Sequence, residues 1–263
     1  MSGPRRFLEI LTPEQARDVH LTALRVLEEV GLWLPNRQAL EIFHDAGARV
    51  DFEAGTVLIP AHLVQAGIQR MPPRFTWHAR EPAQSLDMNG VDTYFGAPDS
   101  AINVIELDGR RRPGTVVDGE AICRLCDALP HLSQASTGVH PADMPGLVLD
   151  AWFTRVMFTY SSKPVFAVSR SKASSEHILR MAEAVADVCD LPAGALPIMA
   201  VVNTVSPLYN TPDQMEGMLE YVKRGVPLLI TPEVQAGATG PATLAGALVQ
   251  ATAEFLGHAA LAQ

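Results

Sequence analysis

The C-terminal part of this sequence predicts a parallel α/β fold, a (β/α)-type barrel of which about four βα units are present. Three observations predict it. From Asp118 onward, helical periodicity alternates with short apolar runs. The runs are Gln134–His140, Lys163–Ser169, Pro197–Thr204 and Leu228–Ile230, short enough for strands and apolar enough to be covered on both faces. Each run is followed by polar or glycine-containing residues and then by a helix-length segment, the rhythm of βα units.

The front of the chain reads differently. Thr12-Pro13-Glu14-Gln15 is a helix start: a capping threonine, a proline in the first turn and a glutamine to close the capping box. Ala16, Val19, Ala23, Val26, Leu27 and Val30 make the apolar stripe of that helix, and Gly31 stops it. A second helix is expected from Asn36 to Ala46 with Leu40 and Phe43 inward, a small hairpin around Glu53-Ala54-Gly55, and a third helix from Pro60 to Arg70. Phe75 to Thr115 carries short alternating runs, and Asp108-Gly109 between INVIEL and the arginine triplet 110–112 is a hairpin turn. Residues 1–117 are therefore read as helices with a small antiparallel elaboration, and 118–263 as the first half of a barrel.

The barrel units follow in order. Asp118 caps a helix through Ile122, Leu125 and Leu129. Helices are expected over Leu147–Tyr160, Ser174–Val188 and Thr211–Arg224, each after or before one of the apolar runs. The last unit opens with Leu228-Leu229-Ile230, a strand buried on both faces. It continues through the glycine-containing loop Gln235–Pro241, with Pro241 in the first turn of a helix whose inward face is Leu244, Ala247, Leu248, Ala251, Phe255 and Ala259. A full barrel has eight units. Four imply either a truncated barrel or four units that form an open sheet or pair with another copy. The lack of a stop signal in Ala260–Gln263 favours truncation, and an open half-barrel would expose apolar edges that favour self-association.

Composition sets limits. Net charge is −9 without a basic stripe, which disfavours nucleic acid and anionic membranes as partners. No apolar run approaches the ~18 residues of a membrane span, and MSGPRRFLEIL is not a secretory signal, so a cytoplasmic protein is expected. Three cysteines make no disulfide framework; Cys123 and Cys126 form a CxxC on a helix, which without a second pair reads as buried helix face rather than a zinc site. No metal-binding spacing, phosphate loop or nucleophile elbow occurs. The arginine triplet reads as a solvated edge, with contact to an acidic partner or cofactor tail as the alternative.

In parallel α/β folds the chemistry gathers at the C-terminal ends of strands. That rule selects His140 and Asp143, then Ser169 and Arg170, then Asn203 and Ser206, and finally Glu233, Gln235 and Thr239. His140 is either a loop residue capping a backbone group or an imidazole facing a ligand. Glu233, just past a strand, is either a salt-bridge partner or a carboxylate facing the pocket. Asn203 and Ser206 can bond backbone as readily as ligand. No residue is assigned a catalytic role.

KPV at Lys163–Val165, SPL at Ser206–Leu208, and AGATGP with LAG at Ala236–Gly246, taken in this order, resemble the trimethylamine methyltransferase family. The resemblance runs from the Leu11 helix to Gln263 and covers only the front part of that family's length. It implies a (β/α)8 barrel and transfer of a methyl group from trimethylamine or a quaternary amine such as glycine betaine. The acceptor implied is the cobalt of a corrinoid carried on a separate protein, with no cofactor bound covalently, within one-carbon metabolism such as methanogenesis. Because a tetraalkylammonium has no N–H, the implied recognition is by aromatic faces and carboxylates; Trp152, Phe166 and Tyr209 are the nearby aromatics, each weighed against core packing. Two other readings stay open. One is a different barrel enzyme on a small anionic substrate, its phosphate held before Pro241. The other is an inactive or purely interacting fragment, a homo-oligomer included.

Overall fold

The computed structural model describes residues 10–263, so most of the stretch tested as a secretory signal lies outside the described residues. Contacts divide the chain into two compact units: Met1–Met71, Asn203–Pro212 and Ile230–Gln263 form one, Pro72–Val202 and Asp213–Leu229 the other.

Helix α1 (Pro13–Glu29) starts as expected: the Thr12 hydroxyl accepts from Gln15 N at 3.2 Å and the Gln15 side chain accepts from Thr12 N at 2.9 Å. Its buried face is Ala23, Leu24 and Leu27, while Ala16 and Val30 are exposed. Gly31 then turns the chain with φ +82°. Strand β1 (Leu32–Trp33) and helix α2 (Arg37–Asp45) follow, α2 capped by Asn36 and burying Leu40 and Phe43. The hairpin around Gly55 is β2 (Arg49–Asp51) and β3 (Thr56–Leu58); β1 adds to it, giving the order β1-β3-β2. Helix α3 (Ala61–Arg70) closes this stretch.

In the second unit, β4 (Phe75–Trp77) pairs antiparallel with β5 (Leu86–Met88), and β6 (Asn103–Ile105) with β7 (Arg111–Pro113) across the Gly109 turn. Helix α4 (Val116–Ala128) is capped by Thr115, not by Asp118. Asp118 is the reciprocal member of the box: its carboxylate accepts from Thr115 N at 2.9 Å and from Arg112 at 2.6 and 2.8 Å. Arg112 holds that carboxyl far below the usual carboxylate range. One arginine of the triplet thus clasps the hairpin to a helix start.

Helix α5 (Leu149–Tyr160), strand β8 (Val165–Val168), helix α6 (Lys172–Val188), strand β9 (Ile198–Asn203), helix α7 (Pro212–Lys223), strand β10 (Leu228–Thr231) and helix α8 (Leu244–Ala262) complete the chain. β8 and β9 are parallel, Val165 opposite Ile198 through Val168 opposite Val201. Ala200 N donates to Pro227 O and Thr204 N to Thr231 O, so β9 and β10 also advance in step, and the order is β10-β9-β8. The core of the second unit joins Trp152, Phe153, Val156 and Met157 of α5 to Val165 and Ala167 of β8 and Ile178 of α6. Lys163, just before β8, is buried with its ammonium on the Cys126 and Leu129 carbonyls at the end of α4.

The result is a mixed α/β fold of small sheets and helices. Three expectations are corrected. Gln134–His140 forms no ladder strand. Gln134, Ser136 and Thr137 bond through their side chains to residues 97–99, and Gly138 sits at φ +68°, which together leave only a single bridge from Val139 to Ala101. β10 is not buried on both faces: it ends the described sheet and Leu229 is 38% exposed. Pro241 lies outside α8, which begins at Leu244 under a Thr243 cap.

The inward face of α8 is also not the one its leucines suggest. Leu244, Leu248 and Phe255 are exposed; Ala247 and Ala259 are buried as expected, and with them Gln250, Glu254 and His258. Helices α1 and α3 pack on α8 through small residues. A Cβ on Gly67 would lie 3.2 Å from the Ala260 Cα, and one on Gly257 would collide with Leu32. No helix among the described residues is long and apolar enough to cross a membrane.

Cys123 and Cys126 are both buried in α4, as the sequence indicates, and burial pushes the Cys123 thiol up to about 12. Cys189 is half-buried.

Candidate functional site at the ends of two strands

The C-terminal ends of β9 and β10, the loops that follow them and α8 all belong to the first unit. At the rim, exposed Asn203 accepts from the Thr231 hydroxyl at 2.6 Å, tying the two strand ends together. Behind the rim stands a fully buried carboxylate, Glu254. Its Oε2 accepts from the Thr204 and Ser206 hydroxyls at 2.6 and 2.9 Å, and its Oε1 from Leu208 N and Gln250 Nε2, both at 3.0 Å.

One turn further along α8, His258 is also fully buried. Its Nδ1 is 2.8 Å from the Glu254 carbonyl oxygen and its Nε2 is 3.1 Å from Asn210 Nδ2. An amide nitrogen can only donate, so Nε2 accepts and Nδ1 carries the proton. Burial lowers the His258 pKa, which keeps the ring neutral. The Asn210 side chain also reaches the Asn203 carbonyl, so the same row of α8 touches the strand end twice.

A pH dependence follows. The folded pKa of His258 lies below its ordinary value of 6.5, so the unfolded chain binds the extra proton first. The neutral ring's contribution is present above pH 6.5 and is lost as pH falls below it, by at most ~1.4 kcal/mol per pH unit. Thermal unfolding at pH 7.5, 6.5 and 5.5 should show a falling Tm that is flatter in His258→Gln. Parallel slopes would refute the assignment. Asp118, with its pKa depressed by Arg112, loses its contribution only in the more acidic carboxylate range.

The other residues selected from sequence divide between the units. Ser206 and Thr239 meet in this network: Gln250 Nε2 donates to the Thr239 carbonyl at 3.0 Å as well as to Glu254. Gln235 starts the loop. Its N–H donates to the Thr239 hydroxyl, and its carbonyl accepts from Ala238, Thr239 and Gly240 N. Glu233 is exposed beyond β10.

His140 and Asp143 lie in the second unit and are not part of the cluster. The His140 ring sits edge-on to Phe153 at 5.0 Å, and Asp143 accepts from Val116 N at the start of α4. Ser169 donates to the Gln214 carbonyl, and Arg170 pairs with Asp150 at 2.9 Å. Of the three aromatics, Trp152 is core and Phe166 packs on Trp77 at 4.5 Å. Tyr209 stacks on the half-exposed Trp33 at 4.4 Å. A cavity of about 620 Å³ is lined by the end of α6, the 190–196 loop and Arg224, all within the second unit.

Gln250, Glu254 and His258 escaped the strand-end rule because it looks at loops and they stand on a helix; Thr204 and Asn210 do lie in the loop after β9 but were passed over there for Asn203 and Ser206. The signal was present: glutamine, glutamate and histidine spaced four apart in a helix otherwise built of alanine, leucine and glycine. Polar groups in one row of an apolar helix are buried together when they satisfy one another.

Parallel strands each followed by a helix place the chain in the mixed α/β class. The family described as trimethylamine methyltransferase (MTTB) matches residues 2–263, and the chain belongs to that family. It is 30% identical over 256 residues to the glycine betaine methyltransferase of Desulfitobacterium hafniense (strain Y51), covering 97% of this chain and 53% of that protein. It is 31% identical over 251 residues to the trimethylamine methyltransferase MttB of Desulfitobacterium hafniense (strain DSM 10664 / DCB-2), covering 95% and 51%. Identity to the trimethylamine methyltransferase MttB of Methanosarcina thermophila is 24% over 262 residues. The chain spans about half the length of the curated relatives it matches.

Proposed function

We propose that this chain serves a cytoplasmic methyltransferase that takes a methyl group from a methylated amine, trimethylamine or a quaternary amine such as glycine betaine, and passes it to a corrinoid carried on a separate protein. The observation that carries the reading is the family match over residues 2–263, with relatives named for these two substrates. The three steps β8–α6, β9–α7 and β10–α8 support a barrel-forming part from residue 118 onward, with residues 1–117 as its front piece.

A corrinoid supplies a strongly nucleophilic cobalt when its protein is bound. The strand-end cluster does not fit it as a ligand set: both His258 nitrogens are engaged inside the fold, so no imidazole is offered to the metal. The work of this chain's own residues is on the amine side, to hold the cation, point one methyl outward and exclude water. A methylated ammonium is attracted by carboxylates and aromatic faces. Exposed Glu233 and the Tyr209–Trp33 pair are the groups of those two kinds assigned to it, with Asn203, Ser206, Gln235 and Thr239 shaping the rim. The anionic-substrate reading loses its support, because the amides of Ala238, Thr239 and Gly240 all donate to the Gln235 carbonyl rather than outward.

The test is methylation of a reduced corrinoid protein, followed by its visible spectrum, with trimethylamine and glycine betaine offered separately. Amine-dependent methylation is expected with one of them. No methylation with either, using a corrinoid protein that a relative methylates in the same assay, would overturn the reading.

A further inference from the structure

We propose that Glu254 is a positioning residue of the amine site, which yokes the loops after β9 and β10 into one body; the site itself rests on the function proposed above. A carboxylate has about four lone-pair positions, and each of the Glu254 oxygens already accepts two hydrogen bonds. No capacity remains for a cation, so its role is exerted through its donors.

Three of those donors, Thr204, Ser206 and Leu208, belong to the loop after β9. The fourth, Gln250, spends its second N–H on the Thr239 carbonyl in the loop after β10. Moving either loop would strip a partner from a fully buried charge, which is among the costlier events in a protein interior. Leu208 adds a second sign of constraint: its φ is +53°, a conformation that side chains with a Cβ disfavour, and its N–H is held on Glu254. The rim residues Ser206, Gln235 and Thr239 ride on these two loops. An amine site built this way is fixed before the substrate arrives, and its residues keep their spacing because one carboxylate sets both loops.

The experiment compares Glu254→Gln with Gln250→Leu and with Leu256→Ala, a buried apolar truncation on the same helix that serves as a stability control. Amide hydrogen exchange reads the loops, and calorimetry reads affinity for glycine betaine and trimethylamine. Glu254→Gln should speed exchange at least tenfold in both 204–210 and 235–240 relative to α1 and α3, and weaken binding of the amine substrate about tenfold. Gln250→Leu should loosen 235–240 alone, and it carries the test if Glu254→Gln does not fold. Leu256→Ala should raise exchange without singling out the two loops. Equal patterns in Glu254→Gln and Leu256→Ala, or a response in only one loop of Glu254→Gln, would overturn the proposal. Loosening of both loops in a protein that binds neither amine would uphold the yoke and remove the amine assignment.

Discussion

Gly31→Ala is expected to destabilise the first unit by about 2–4 kcal/mol, one of the two largest effects of a single substitution foreseen for this chain. Two costs combine. Gly31 sits at φ +82°, where a Cβ is disfavoured by roughly 1 kcal/mol. Its added methyl would also run into the Val57 carbonyl oxygen and lie 2.7 Å from a Leu58 methyl. Backbone cannot rotate away as a side chain can, so β3 must shift, and with it the β1-β3-β2 sheet. Gly47 offers the control. It sits at φ +95° but a Cβ there meets nothing within 4 Å, so Gly47→Ala keeps only the conformational term. Urea unfolding of both variants separates strain from collision, and equal losses would show that the close approach to Val57 is not stabilising.

Trp152→Ala should cost about 3–5 kcal/mol in the second unit, the range for emptying a buried aromatic site. Trp152 is 4% exposed and packs against Phe153 with centroids 5.1 Å apart, while α4 approaches its ring at Gly119. Trp152→Phe should cost much less, under ~1.5 kcal/mol. The indole N–H of Trp152 meets no acceptor among the described residues, so the smaller ring loses volume but also relieves a buried unpaired donor. Denaturant midpoints at constant m-value measure both. A Phe variant as unstable as the Ala variant would mean that the indole N–H is satisfied after all.

What the sequence revealed, and what it hid, has a physical pattern. Local signals were legible where a few adjacent residues decide the outcome. The Thr12–Gln15 box, the Gly31 stop and the Asp108-Gly109 hairpin all stand where turn and cap chemistry put them. Strands β8, β9 and β10 were legible from apolar runs, because β-branched and leucine-rich segments of that length have few other ways to be buried.

Errors arose where distant partners decide. Gln134–His140 reads as a strand by itself, but its polar side chains find the carbonyls of Ala97 and Pro98 and the Asp99 carboxylate, and spend the segment on loop contacts. At the start of α4, Asp118 has the composition of a cap, yet Thr115 one turn earlier takes that place and Arg112 draws the carboxylate into an ion pair. For α8 the hydrophobic stripe pointed to Leu244, Leu248 and Phe255, which are exposed, while Ala247 and Ala259 of the same stripe are buried beside the row of Gln250, Glu254 and His258. A helix apolar all round carries no directional information in its leucines; the hydrogen-bonding demand of Gln250, Glu254 and His258 fixes its rotation. Of the strand-end selection, Asn203, Ser206, Gln235 and Thr239 fall around one network, whereas His140 and Asp143 serve local packing and capping in the other unit.

The distribution of sulfur has a practical consequence. Two of the three cysteines lie inside α4, and burial raises the pKa of both thiols, so alkylating reagents at neutral pH find little thiolate there. Cys189, at the end of α6, is the one thiol of the three that is not buried. The chain thus carries its own one-to-one attachment point for a spin label or fluorophore, on the unit that does not hold Glu254, with no cysteine to be engineered in or out.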